Sequence, residues 1–249
     1  MSIAEPLSYR PHGGRRVLRA LRRALAVLVA LALVALLAGA VYVVTLPGVG
    51  DARHRAQQLM AIHHERGGMP VPSKLAAAAI STEDEHFDDN VVFNVATGVG
   101  RAGVDLLSGG SNPGGATIDQ QLAKQLYGDG GGVGVGGTLR QIGLGIKLGL
   151  HWSHRQVLAM YLNVNYYGEG LWGVRQAAEG YFGVTPSRLT WAEASMLAGL
   201  LQAPSAYDPL HHYALAKQRQ QHVLARLVAN GKLSRPQAAA AYRARLPLR

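Results

Sequence analysis

The chain has no cysteine. That excludes a disulfide framework, a thiolate nucleophile and a Cys-ligated zinc site, and it suits a domain that folds outside the cytoplasm without oxidative chemistry. Acidic residues are scarce: fifteen Asp and Glu stand against twenty-five Lys and Arg, for a net charge of +10. Alternation of apolar and polar residues is nowhere sustained, so no substantial sheet is expected. No segment repeats. Glycines are plentiful, but none is followed by Lys-Ser or Lys-Thr, which excludes a P-loop.

What is present starts with 249 residues, 48% of them hydrophobic. That suffices for one medium domain with a real core, plus appendages. Residues 24–46 (ALAVLVALALVALLAGAVYVVTL) carry no charge. As a helix they span about 35 Å, enough to cross a bilayer core. Arg15, Arg16, Arg19, Arg22 and Arg23 precede them, and basic flanks stay in the cytoplasm. The expectation is a single-pass protein of the cytoplasmic membrane, N-terminus inside and the rest outside. A cleaved signal peptide is the alternative; the run is longer than a typical h-region and lacks a convincing A-x-A site. The division expected is 1–23 as a cytoplasmic basic N-terminus, 24–46 as the transmembrane helix, 47–69 as a juxtamembrane linker or helix, and 70–249 as the main domain. Residues 51–249 keep a net charge of +5, which suits anionic headgroups or phosphorylated substrates. Nucleic acid is not expected outside the cytoplasm.

The outer part reads as mainly α. Residues 51–66 form a short polar helix, which Pro70 and Pro72 break, and Ser73 is the expected cap of a helix over 74–82. Residues 91–115 are loop-like. Helical spacing follows over 116–127, 139–163, 174–182, 190–201, 214–229 and 234–245, with N-caps at Thr185-Pro186 and Ser234. Seven glycines fall in 128–137, too many for an ordered element on its own.

Five of the fifteen acids crowd into Ser81-Thr-Glu-Asp-Glu-His-Phe-Asp-Asp-Asn90. Either this is an acidic surface turn, or one carboxylate does chemistry. Glu83 ends an apolar helix and precedes Phe87. A carboxyl at a buried helix end, roofed by an aromatic ring, has its pKa raised by desolvation, as a general base near neutral pH requires. In Gly114-Gly-Ala-Thr-Ile-Asp-Gln-Gln-Leu-Ala-Lys124, Gln120 and Lys124 are four apart and share a helix face. Gln121 lies beside them, and a Gly-Gly entry offers helix N–H groups to an anion. The alternative is a plain polar face. The stretch 161–183 crowds aromatics, glycines and Asn163 into one turn between two helices, where packing is the default reading.

The order of these segments resembles the peptidoglycan glycosyltransferases of glycosyltransferase family 51, in particular the monofunctional biosynthetic type. Glu83-Asp84-x-x-Phe87 is similar to the family's first motif, and Gly115-Ala-Thr-Ile-x-Gln120-Gln121-Leu-Ala-Lys124 to its second. Tyr161-Leu-Asn-x-x-Tyr-Tyr-Gly-x-Gly, with Ala177-Ala178-x-x-Tyr-Phe-Gly183, is close to the fourth. Leu189-Thr-x-x-Glu193, continuing to Pro204 and Pro209, is close to the fifth. The resemblance covers about residues 70–230.

It implies a lysozyme-like helical glycosyltransferase domain that polymerises lipid II into glycan strands at the outer membrane face, in cell-wall biogenesis and cell shape. On that implication Glu83 is the general base and Lys124 stabilises the lipid pyrophosphate leaving group. Asp84 orients Glu83 or caps nearby backbone. Phe87, Arg101, Thr117, Gln120, Gln121, Arg140, Gln141 and Asn163 line the substrate, and Glu193 ties helices together. Lipid II and the nascent strand are the implied ligands, and penicillin-binding transpeptidases or divisome and elongation proteins the implied partners. No penicillin-reactive domain follows before Arg249, so peptide cross-linking is expected from other proteins. No cofactor is called for, and a divalent cation, Mg or Mn, stays open.

The third motif departs. Counting back from Tyr161 puts Gln141 where the family has a second Glu, and Gly137-Thr138 where it has Arg-Lys. Leu148-Gly149 replaces Leu-Glu. Between Gln120 and Gly168 the sole carboxylate is Asp129. Asn90, Val92, Asn94 and Ala116 also differ from the common residues. These changes keep a rival in view: a pseudoenzyme that docks lipid II or a partner synthase without polymerising. A lysozyme-like hydrolase is a further rival.

Overall fold

The computed structural model describes residues 14–65, 68–89, 116–128 and 135–249, with side chains from Leu18 onward and Val135 as backbone only. Two compact units divide after Thr45.

The first unit is one helix, α1, Gly14–Thr45. Its 32 residues make it about 48 Å long. It starts earlier than the uncharged run because arginine and leucine are good helix formers. It ends before Pro47, since the residue ahead of a proline avoids the α region. The stretch Leu18–Thr45 is long and apolar enough to cross a membrane, with a mean hydropathy of 2.9 and none of its most apolar window buried against protein.

The second unit, Leu46–Arg249, is helical. Among its described residues the nearest thing to a sheet is one isolated antiparallel bridge, Tyr166 to Trp172. The mainly α expectation holds. Helix α2, Ala52–Ile62, buries Ala52, Ala56 and Met60, one stripe at a spacing of four. It stops four residues short of the expected 66. The chain turns at His63 and His64, where Glu65 N–H reaches back to Met60 O at 2.8 Å. Helix α3, Ser73–Glu83, has Pro72 at its cap position and no side-chain cap. Ser73 is therefore the first helical residue rather than the cap; the fixed φ of Pro72 sets the entry.

Helix α4, Ile118–Tyr127, begins at Thr117, whose hydroxyl accepts from Gln120 N. The expected run 139–163 is two helices, α5, Val135–His151, and α6, His154–Val164. Ser153 and Gln156 form a reciprocal capping box at the break. Trp152, half-buried against the core, donates Nε1–H to Val49 O at 2.9 Å. Helix α7, Gly173–Phe182, closes on left-handed Gly183, and a short 3-10 turn covers Pro186–Arg188. Thr185 stands at the cap of that turn, its hydroxyl paired with the Ser187 hydroxyl at 3.3 Å rather than capping the backbone. Helix α8, Trp191–Leu200, starts with a Thr190–Glu193 capping box and buries every residue from 192 to 200. Helices α9, Tyr213–Ala229, and α10, Arg235–Arg243, follow, the latter capped by Ser234 and Gln237.

The helices pack in two groups. Helix α8 is surrounded by α3, α9 and α10, while α4, α5, α6 and α2 pack with one another. Helix α7 touches α6 on one side and α8 on the other. One core runs through both groups, with Tyr161, Tyr167, Tyr181, Phe87 and Phe182 its largest fully enclosed side chains. The ends of α3 and α4 meet on the seam between the groups.

Candidate active site

Glu83 is the last residue of α3. Its side chain is only 11% exposed, and each carboxylate oxygen has one partner. Oε1 faces Arg219 Nη2 of α9 at 3.3 Å, and Oε2 accepts from Gln121 Nε2 of α4 at 3.3 Å. Burial pushes the Glu83 pKa up, the bonds from Gln121 and Arg219 hold it back, and the neighbouring Asp84 charge adds to the rise; the net direction is upward. A carboxylate in this setting is more basic than a surface glutamate and still ionises, because a guanidinium stands beside it.

The partners are themselves held. Gln121 Nε2 also donates to Ala116 O at 3.2 Å, and its Oε1 accepts from Tyr161 O–H at 3.0 Å. Tyr161 is fully buried, so its hydroxyl stays protonated and acts as a fixed donor. That fixes which way the Gln121 amide points. Arg219 lies 5.9 Å from the Tyr207 ring centroid. A Cβ at Gly199 would sit 3.0 Å from Arg219 Cγ, so the glycine leaves the space that the arginine stem occupies.

Asp84 is buried and takes Ile118 N–H on Oδ2 at 3.1 Å. It caps the first turn of α4, where negative charge is favoured by the helix dipole, and pins that turn to the end of α3. Asp119, one turn position further on, is 2% exposed. Its Oδ1 has no hydrogen-bond partner among the described residues. Burial, with the Asp84 charge second, raises its pKa from 3.8 to about 7. The folded chain therefore holds a proton that the unfolded chain releases above about pH 4, and stability falls as pH climbs from there to about 7. Asp119→Asn removes this cost. Its thermal midpoint is expected to exceed that of the parent by about 5 °C at pH 8 and to match it at pH 4; a gain of equal size at both pH values would overturn the assignment.

Other expected site residues fall as follows. Lys124 is exposed in the last turn of α4, one turn beyond Gln121. Gln120 does not share that exposure: it is 8% exposed and lies under α5, where Gly145 admits it. Thr117 is buried and spends its hydroxyl on the cap. Asn163 is a brace, donating to Pro70 O at 3.0 Å and Ala159 O at 2.7 Å from inside the core. Phe87 is enclosed and packs on the His154 ring at 5.3 Å. Arg140 and Gln141 are half-buried on α5. Arg101, like Asn90, Val92, Asn94 and Asp129, lies outside the described residues. Glu193 ties its helix start, accepting from Thr190 N–H at 2.7 Å. Glu85 pairs with Arg226 at 2.6 Å, and Asp88 and Asp89 are exposed.

Arg219 is the residue that sequence reasoning missed. It stands 136 residues from Glu83, and a lone arginine in a polar helix carries no local signal; the apolar residues Ala216 and Val223 on the buried face were the one hint that the neighbouring position points inward. A cavity of about 700 Å³ lies elsewhere, between α8 and α10 around Trp191 and Ala241, and Glu83 does not line it. Among the described residues, three groups close enough to share a cation are Glu169, Asp208 and His211, in the turns after α6 and α8.

A transglycosylase family profile matches residues 56–228. The chain is 36% identical over 167 residues to penicillin-binding protein 2a of Streptococcus pneumoniae, covering 67% of this chain and 22% of that protein. It is 34% identical over 186 residues to a protein of Cupriavidus necator named only provisionally as a transglycosylase, covering 71% of this chain and 77% of that one. A crystal structure of penicillin-binding protein 1A from Haemophilus influenzae matches over 39% of this chain and 15% of that one, with 31% identity and a TM-score of 0.38. The chain thus spans about a fifth of the length of the penicillin-binding relatives and most of the length of the Cupriavidus protein.

Proposed function

The chain belongs to the transglycosylase family, and from that membership we propose that it is a peptidoglycan glycosyltransferase acting on lipid II at the outer face of the cytoplasmic membrane, with α1 as its anchor. The observation that carries the reading is Glu83: a nearly enclosed carboxylate of raised pKa, held between two helix groups by a guanidinium and an amide.

The chemistry follows from that placement. The acceptor sugar hydroxyl gives its proton to Glu83 as its oxygen bonds to the donor's anomeric carbon. The bond from that carbon to the pyrophosphate oxygen breaks, and the lipid pyrophosphate departs with the electron pair. Lys124, exposed one turn from Gln121, is the ammonium that offsets the charge gathering on it. Arg219 and Gln121 keep the carboxylate aimed, and Tyr161 keeps Gln121 aimed. Gln141 stands where the family has a second acid and brings hydrogen bonds but no charge.

The test is polymerisation of lipid II by the purified full chain in detergent, read as glycan strands on a gel. Strands are the expected product. Lipid II that binds without growing would support the docking protein that Gln141 favours, and soluble fragments cut from finished peptidoglycan would support a hydrolase.

Arg219→Gln has a distinct signature. Loss of the guanidinium leaves burial and Asp84 to raise the Glu83 pKa further. Since the ionised carboxylate is the reactive form, the acid limb of the pH–rate profile is expected to move to higher pH. The deficit is large near pH 6 and small near pH 9. A uniform loss at all pH values would show that Arg219 acts on substrate instead.

A further inference from the structure

Helix α2 and the start of α6 enclose a hollow of about 200 Å³ whose lining includes Arg53, Arg155, Met69, Val71, Trp152 and Met160. Both arginines are exposed, and among the described residues neither meets a carboxylate. The two acids of residues 46–65 are already engaged: Asp51 with Arg55 at 2.7 Å and with the Tyr127 hydroxyl at 2.8 Å, Glu65 with Arg175 at 3.5 Å. Arg155 is the second residue of α6, so the partial positive charge of that helix start adds to its own. The floor is thioether, isopropyl and indole. Two cations over an apolar floor match an anion that carries hydrocarbon, not a free phosphate.

The hollow also has a fixed place along the chain. Arg53 comes eight residues after Thr45, the last residue of the apolar helix. Those residues are tied to the corner that forms the hollow. Lys147 Nζ donates to Leu46 O, and Trp152, a lining residue, donates to Val49 O at 2.9 Å. Eight residues reach less than about 29 Å even when fully extended, so the tether to α1 limits how far Arg53 can lie from the end of the apolar helix.

We propose that this hollow is a binding site for an anionic phospholipid headgroup, the phosphate between Arg53 and Arg155 and the glycerol and first acyl carbons on Met69, Val71, Trp152 and Met160. It rests on the anchoring reading of α1 and is separate from the polymerisation chemistry at Glu83. Anionic lipid then acts as a structural ligand of the outer domain.

The test titrates the detergent-solubilised full chain with dioctanoyl-phosphatidylglycerol, using dioctanoyl-phosphatidylcholine and glycerol 3-phosphate as controls, read by calorimetry and by lipid retained in native mass spectrometry. Saturable binding of the phosphatidylglycerol alone is expected. Arg53→Gln/Arg155→Gln should weaken it by about 30-fold, each cation near a membrane surface contributing a factor of about five. Polymerisation by the double variant in phosphatidylcholine vesicles should stay within about twofold of the parent. Unchanged affinity in the double variant would assign the binding to the basic N-terminus and overturn the site. Equal affinity for glycerol 3-phosphate would make it a plain phosphate site, and lost polymerisation in phosphatidylcholine would make it part of substrate handling; either overturns the proposal. Because the binding readout needs no turnover, failure of the transferase reading would leave it intact.

Discussion

Glu83→Gln is expected to lower lipid II polymerisation by about 10²–10⁴-fold, the usual contribution of a positioned proton acceptor, with no loss of fold. The amide has the carboxylate's shape, and its oxygen can still accept from Arg219, so packing at the seam survives. Removing a buried charge also removes a cost. The Glu83 pKa is raised in the folded state, so the ionised group opposes folding above its unfolded value, and the glutamine variant should melt at the same temperature as the parent or slightly higher at pH 8. Circular dichroism and a thermal scan check the fold, and a radiolabelled lipid II assay checks the rate. A variant that melts normally and still polymerises would remove Glu83 from the chemistry and send the search for a base elsewhere.

Lys124→Ala should cost about 10²–10³ in rate, the range seen when one electrostatic stabiliser of a developing anion is deleted. The side chain is exposed, so stability should change by only a few tenths of a kcal/mol, chiefly from losing a cation in the last turn of α4. Lys124→Arg keeps the charge and should recover part of the rate. The pH profile should keep its shape in both variants, because the ionisation of Glu83 is governed by burial first and then by Gln121, Arg219 and Asp84. An unchanged rate for the alanine variant would shift leaving-group stabilisation to Arg101 or Arg140.

Helix positions were largely legible in the sequence because apolar spacing reports which face is buried, and that pattern placed α4 and α7 to α10 within a few residues. It could not report the break between α5 and α6. The apolar stripe continues across Trp152 and Ser153, and only the Ser153–Gln156 exchange of hydrogen bonds ends one helix and starts the next. The roles of single polar residues were harder for a related reason. Thr117, Gln120 and Asn163 have the right chemistry for a ligand, yet a backbone N–H occupies the Thr117 hydroxyl, backbone carbonyls take the Asn163 amide N–H groups and α5 covers Gln120. Which partner a polar group finds is a tertiary property. Glu83 stands out in the sequence because a cluster of acids directly after an apolar helix is a local anomaly, whereas Arg219 becomes visible only when α9 is laid beside α3.

The seat of Glu83 on a seam makes its basicity a gauge of how tightly the two helix groups close. Its Gln121 bond spans the groups, whereas its Arg219 bond lies within one of them. Parting the groups by an ångström stretches the first and spares the second, and two opposed effects follow: water reaching the seam relieves the burial that raises the carboxylate's proton affinity, while loss of the Gln121 donor adds to it. The acid strength of a single side chain is thereby tied to the spacing of two packed halves.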